Sequence, residues 1–355
     1  MAAPTAKDVA KKAGVSIATV SRVVNKQESV APHMRARVLQ AIQALGYQPS
    51  RTAQRLRAKR GYVIGLIISD VQNPYFTAVA RGIEDVAYQH GYSLILCNSD
   101  EDSEKEHLYL DVMRAEAVAG VILATTVEDN PGVRQLADNG IPVVAIDRQL
   151  TDPGIDSVMV DSVQGTVEAL SYLIELGHRC IGFIGGPLTI TTMRERRDGY
   201  LLAHRQHGLP VLPHLMQFDS PRQAGGYACA LELLRQQPLM TAIFASNNLM
   251  AMGALKAIHE RGLRIPEDIS IICFSDMPWG SLLQPSLTVI AQPDYELGQK
   301  AAELMVERLK HPDKPVSHLQ LELKLIVRAS TGRPGPTGRL KEGTAEAERP
   351  PLGLP

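Results

Sequence analysis

Apolar residues recur at helical spacing in three short stretches near the N-terminus, and then in dense β-branched runs from residue 63 onward. Val9, Ala10 and Ala13 fall on one helical face, with Thr5 and Asp8 placed as a variant capping box in front of them. Gly14 follows, where a left-handed residue can end the helix. Ser16 fits the N-cap of a second helix whose apolar stripe is Val20, Val23 and Val24. Its other face carries Ile17, Ala18, Thr19, Ser21, Arg22 and Asn25, short or hydrogen-bonding side chains that suit a helix pressed into a DNA major groove. A third helix is expected from Pro32 to Leu45, with Met34, Val38, Leu39, Ile42 and Leu45 facing inward and Gly46 ending it. Pro32 suits a first helical position, although Ala31 is a poor N-cap. The pattern predicts a three-helix helix-turn-helix domain over residues 1–49. Residues 50–60 have only Ala53 and Leu56 as apolar members. So short and basic a segment is expected to be disordered alone, and either orders against a partner or stays a loose linker.

From Val63 the pattern alternates. Strands are expected at Val63–Ser69, Ser93–Cys97, Gly120–Ala124 and Val143–Asp147, with helices near Tyr75–His90, Ser103–Ala117 and Asn130–Asn139 between them. A second series has strands Ile181–Gly185, Ala242–Ala245 and Ile269–Phe274, and helices near Val163–Leu176, Arg194–His207, Arg222–Gln237 and Asn248–Arg261. Apolar strands joined by helices imply parallel sheets covered on both faces, so the fold class is α/β, with two doubly wound lobes. Ligands of such lobes bind at the C-terminal ends of the strands. A last helix at Tyr295–Lys310 precedes a strand-like run at Leu319–Val327. Residues 333–355 lack apolar periodicity and are expected to be a disordered tail.

Spacing alone leaves the first two helices open to a bland reading as a helical hairpin with a solvated outer face. Charge changes that. Residues 1–60 hold twelve Lys and Arg against only Asp8 and Glu28, a net +10, in a chain whose total is −1. A basic head on an acidic body of −11 is the footprint of phosphate contacts. No stretch approaches a membrane span and no signal peptide is evident, so a cytoplasmic protein without membrane attachment is expected. Cys97, Cys180, Cys229 and Cys273 show no metal-ligand spacing and read as reduced packing residues.

Catalytic motifs do not emerge. Gly182-Phe183-Ile184-Gly185-Gly186 lacks the third glycine and the helix of a dinucleotide site, and neither a phosphate loop nor a nucleophile elbow is found. His204 and His207 share a helical face without a further ligand and are expected on exposed surface. No enzyme activity, cofactor or metal is expected.

With these residues in view, the chain resembles the bacterial lactose-repressor/galactose-repressor family of transcription regulators, to about Arg333. The resemblance is carried by Asp8-Val9-Ala10-x-x-Ala13-Gly14-Val15-Ser16-x-x-Thr19-Val20-Ser21-Arg22-Val23-Val24-Asn25 and by Leu45-Gly46-Tyr47. Further along it rests on Asn73-Pro74-Tyr75-Phe76, Arg81-Gly82-Ile83-Glu84, Gly177-His178-Arg179, Asn247-x-x-Met250-Ala251-x-Gly253 and Leu287-Thr288-x-Ile290-x-Gln292-Pro293. It implies a homodimeric repressor of double-stranded operator DNA, with a hinge helix at 50–60 and a core like periplasmic sugar-binding proteins. That core would span 61–332 with three chain crossings, an N-lobe of about 61–161 plus 291–322, and a C-lobe of about 162–290 plus 323–332. The resemblance places Ile17, Ala18 and Arg22 at base-reading positions, and Ser16, Thr19, Ser21, Asn25 and Tyr47 at phosphate or base contacts. Arg51 and Ala53 fall in the DNA-facing hinge, and Leu56 matches a leucine wedged into the minor groove. Phe76, Asp147, Arg148, Thr192, Arg196, Asn247, Ser275, Asp276 and Gln292 match positions lining the effector cleft. The effector would be a sugar, sugar acid or sugar phosphate.

Two departures stand out. Ser275 replaces a residue that is often acidic in the family. Its cleft arginines, Arg148 and Arg196, with Arg194 and Arg197 beside the second, would then favour an anionic group unless Asp147 and Asp276 pair them. The tail lacks leucine heptads, so no tetramer-forming coiled coil is expected. A solute-binding protein or sugar-processing enzyme on the same lobes is the competing reading, opposed by the basic head.

Overall fold

The computed structural model describes residues 4–24, 29–47, 61–236 and 239–335. It divides into two units, residues 1–61 and 62–355. In the first, α1 (Ala6–Ala13), α2 (Ile17–Val24) and α3 (Pro32–Leu45) close around Val9, Ala13, Val20, Val23, Val38 and Ala41. The Thr5–Asp8 capping box forms in both directions. Gly14 ends α1 at φ 61°, where a Cβ would also meet the Arg37 guanidinium at 2.5 Å. The Ser16 hydroxyl accepts from the Thr19 amide at 3.1 Å and caps α2. One expectation fails in part: Val38 is buried as expected and Ile42 and Leu45 pack against the core, but Met34 and Leu39 are exposed and Ala41 is buried in their place. Leu39 lies about 100° round the helix from Val38, off the face that two short partner helices can cover.

The second unit contains two six-stranded sheets. The first has the order β2 (Ser93–Asn98), β1 (Val63–Ile68), β3 (Gly120–Leu123), β4 (Val143–Ile146), β5 (Asp156–Val160) and β11 (His318–Leu321), all parallel. Helices α4 (Pro74–Gln89), α5 (Ser103–Ala115), α6 (Pro131–Asp138) and α11 (Asp294–Lys310) pack on it. The second sheet runs β7 (Met216–Phe218), β6 (Ile181–Gly185), β8 (Ala242–Ala245), β9 (Ser270–Phe274), β10 (Thr288–Ala291) and β12 (Lys324–Ile326), with only the β10–β12 pair antiparallel. It is covered by α7 (Ser162–Glu175), α8 (Thr191–Gln206), α9 (Gln223–Gln236) and α10 (Asn248–Glu260). The chain passes between the sheets three times, after β5, after β10 and between β11 and β12. Those crossings bring the C-terminal ends of β1, β4, β6, β8 and β9 to one cleft.

Close helix crossings explain two of the motif glycines, Gly82 and Gly253, and the glycines that face them, Gly298 and Gly226. A Cβ on Gly82 of α4 would lie 2.1 Å from the Tyr295 carbonyl of α11, and one on Gly298 of α11 would lie 2.1 Å from the Val79 carbonyl of α4. Gly226 of α9 and Gly253 of α10 make the same reciprocal contact, at 2.2 Å and 2.1 Å from opposing carbonyls. The patterning missed β5, β7 and β10, and it joined β11 and β12 into one run although they belong to different sheets. His204 is also unlike its expectation. It is buried, with Nδ1 2.9 Å from the Tyr200 carbonyl and its ring 4.1 Å from that of Tyr200, because the i,i+4 spacing turns it onto the C-lobe core. Burial pushes its pKa down. His207 stays exposed and contacts the Ser171 hydroxyl at 2.9 Å. All four cysteines are free thiols.

Candidate functional site

The helix-turn-helix unit presents Ser16, Ile17, Ala18 and Arg22 exposed on α2, with Thr19 and Ser21 half-buried beside them. Ile17 is 47% exposed at the start of that helix, a position packing does not explain. Tyr47 lies half-buried against the domain core just beyond α3. Asn25, Arg51, Ala53 and Leu56 lie outside the described residues.

In the two-lobed unit, one cleft between the sheets is lined by Phe76, Asp147, Arg148, Thr192, Arg196, Asn247, Ser275 and Gln292. The structure thus brings together eight of the nine residues assigned there from sequence. Asp276 is not among the lining residues. Its carboxylate turns to Arg328, whose Nη1 donates at 2.9 Å. Asp70, Asn73, Tyr75, Glu101, Arg222 and Asn248 join the lining unforeseen. Asp70 and Glu101 follow the ends of β1 and β2, where the strand-end rule pointed but no pattern singled out a residue.

Asp147 and Ser275 occupy matching places, each the first residue after a central strand, β4 and β9. Both are left-handed, at φ 63° and 74°, a conformation uncommon for non-glycine residues and typical of functional sites. Their amides bond across to the next strand, Asp147 to the Val158 carbonyl at 3.3 Å and Ser275 to that of Ile290 at 2.8 Å.

The cleft collects polar atoms that are buried without a hydrogen-bond partner: Tyr75 OH, Arg148 Nε, Arg196 Nε, Ser275 Oγ and Gln292 Oε1. Such atoms are costly unless something supplies the missing bonds. Arg196 is buried, donates from Nη1 to the Ser246 carbonyl at 2.8 Å, and lies 3.9 Å over the Phe274 ring. No carboxylate lies within 4.0 Å of it among the described residues, and burial pushes its pKa down. Asn247 caps α10, accepting from the Met250 amide at 2.7 Å while its Nδ2 donates to the Pro221 carbonyl at 2.8 Å. Asp147 Oδ2 stands 3.5 Å from Arg148 Nε. Burial, reinforced by Asp147, raises the Tyr75 phenol.

The other arginines near the cleft are ion-paired: Arg148 with Glu101, Arg194 with Glu128, Arg197 with Asp198 and Arg222 with Asp100. Arg194 and Arg222 pair across the cleft, and Asn248 Nδ2 donates to Asn73 Oδ1 at 2.9 Å between the lobes. Glu128 sits on a loop held by the buried Glu106, which accepts from the Thr126 amide at 2.7 Å and Asn130 Nδ2 at 2.6 Å.

Comparison with known proteins agrees with this geometry. Residues 5–50 match the family described as "Bacterial regulatory proteins, lacI family", and residues 62–328 match "Periplasmic binding proteins and sugar binding domain of LacI family". The chain belongs to the LacI family. The ribose operon repressor of Halalkalibacterium halodurans is 38% identical to this regulator over 92% of the chain and 97% of the relative. The repressor PurR of Pasteurella multocida is 36% identical over 92% and 98%. Among solved structures, the transcriptional regulator CelR–cellobiose complex has a TM-score of 0.71 at 30% identity, covering 92% of this chain and 99% of that one. The lac repressor dimer bound to operator and the anti-inducer ONPF gives 0.80 at 28% identity, covering 93% and 100%. This LacI-family regulator is a ligand-responsive transcriptional repressor, a non-enzymatic role. Among the described residues no helix is long and apolar enough to cross a membrane, and no three His, Cys, Asp or Glu side chains group as a metal site.

Proposed function

We propose that this repressor acts in the cytoplasm as a homodimer on a near-palindromic operator, and that a neutral polyhydroxylated effector, a sugar, switches it from the cleft. The observation that carries the effector class is the state of Asp147 and Arg196. An acceptor and a donor face one cleft, neither has a hydrogen-bonded ion-pair partner, and the remaining arginines there are already neutralised. Adjacent hydroxyls, which donate and accept, match that pair. The cellobiose bound to the similar regulator CelR, and the ribose operon that the similar repressor of Halalkalibacterium halodurans is named for, support the same class.

The exposed face of α2 supports base and phosphate contacts by Ser16, Ile17, Ala18, Thr19, Ser21 and Arg22, with Asn25, Tyr47, Arg51, Ala53 and Leu56 completing the interface. The edge strand β2 leaves Ile95 and Leu96 exposed, a surface that a second copy would cover. Fluorescence anisotropy on a palindromic duplex, read at several salt concentrations, tests the DNA half. Affinity must fall steeply with salt and exceed that for random duplex. Thermal shift against neutral sugars and their matched acids and phosphates tests the effector half. Stabilisation by the charged compounds alone refutes the neutral class.

A further inference from the structure

The cleft holds a carboxylate of its own in the place where an anionic ligand would dock. Glu101 follows β2, and its two oxygens accept from both terminal nitrogens of Arg148, at 2.7 Å and 2.6 Å. Arg148 is buried and Glu101 is partly so, its side chain 21% exposed. The Thr125 carbonyl fixes the same guanidinium at 3.1 Å. The loop is shaped for this contact. Asp100 and Glu101 are consecutive left-handed residues, at φ 56° and 63°. Asp100 is anchored by Asn98 Nδ2 at 2.8 Å and by Lys105, and Asp102 caps α5 through the Glu104 amide at 2.8 Å. A planar guanidinium fork lining a cleft is a general receptor for carboxylate and phosphate. Here the chain itself fills it.

We propose that Glu101 is a specificity-determining residue, a tethered carboxylate that occupies the Arg148 fork and keeps anionic ligands out of the cleft. The inference rests on reading this cleft as the effector site. With Glu101 in place the lining carries three carboxylates, Asp70, Glu101 and Asp147, against three guanidinium groups, Arg148, Arg196 and Arg222. Without it one cation is uncompensated, and its fork opens to any small oxyanion. A free carboxylate competes poorly with a tethered one, whose effective concentration is at least in the millimolar range.

The test uses acetate as the probe and the full chain as Glu101→Ala. Melting is followed against acetate, with chloride making up constant ionic strength. Glu101→Ala should show saturable stabilisation of a few degrees, at least tenfold tighter in half-saturation than any acetate effect on the unaltered protein. The double variant Glu101→Ala/Arg148→Gln should lose it. If Glu101→Ala does not fold, Glu101→Gln is titrated in the same way. Equal acetate responses in the unaltered and single-variant proteins, no response in either Glu101 variant, or a response that survives loss of Arg148 overturns the proposal. None of these readings depends on the sugar panel, so failure of the neutral-sugar reading would be seen separately.

Discussion

Replacing Arg196 by methionine separates the demands of folding from those of effector binding. The arginine forms one charge-assisted hydrogen bond to the Ser246 carbonyl and one cation–π contact with Phe274. Losing these costs about 1.5–3 kcal/mol and about 1–2 kcal/mol respectively. Against that stands the burial of a guanidinium with no carboxylate partner, a penalty of several kcal/mol per ion that methionine does not incur. The terms offset, so the ligand-free protein should lose no more than about 2 kcal/mol. Arg308 supplies the contrast. It is held by the buried Asp156 at 2.9 Å and 3.0 Å, so Arg308→Met strands a carboxylate and should cost about 3–5 kcal/mol. Denaturant melting of both variants, read from Trp279, the only tryptophan of the chain, makes the comparison. Effector affinity should move the other way. Arg196→Met should lose roughly 10- to 150-fold, the worth of one charge-assisted bond, and Arg308→Met little. Operator affinity without effector should be unchanged in Arg196→Met. Equal destabilisation by both variants, with effector binding intact in Arg196→Met, would show that Arg196 is structural and the reasoning wrong.

Three further outcomes follow from the geometry. Gly253→Ala forces a Cβ to within 2.1 Å of the Gln223 carbonyl and should destabilise the core by about 1–3 kcal/mol or more, whereas Gly46→Ala, with nothing within 4 Å, should cost only its left-handed strain; parallel melts check the pair. Glu128→Gln breaks the Arg194 link across the cleft, and since both side chains are about one-third exposed it should cost at most about 1 kcal/mol, seen as up to about fivefold faster effector release in stopped flow with little change in melting. Burial, with Asp147 and Asp276 nearby, pushes Asp294 up to about 8, so the folded state holds a proton that the unfolded state releases near pH 4; stability should fall as pH rises from about 4 to about 8, by up to about 1.4 kcal/mol per pH unit, and Asp294→Asn should flatten that slope.

What the sequence made legible was whatever depends on short-range pattern. The capping box at Thr5, the left-handed Gly14 and the Ser16 cap are local chemistry, and each appears where the spacing placed it. Strands buried on both faces, such as β6 and β8, announce themselves as apolar runs. The Leu319–Val327 run was misread for the opposite reason. Its two short strands are a single extended segment until tertiary pairing sends His318–Leu321 to β5 and Lys324–Ile326 to β10. The cleft followed the same division. Asp147, Ser275 and Asn247 sit at strand or helix ends and lie within quoted motifs or family positions, so they could be named in advance. Asp276 is adjacent to Ser275 in sequence but turns to Arg328, fifty-two residues away, and only the fold decides which of two neighbouring polar side chains lines the cleft. Glu101 was invisible for a deeper reason. Its meaning lies in a partner forty-seven residues away, and within Asp100-Glu101-Asp102 nothing distinguishes one acid from the next. The three go to different places: Asp100 to Lys105 and Arg222, Glu101 to Arg148, and Asp102 to the end of α5. Charge balance in the cleft therefore had to be read from pairing, and the pairing of Arg148 with Glu101 is what favours the neutral sugar among the alternatives the sequence left open.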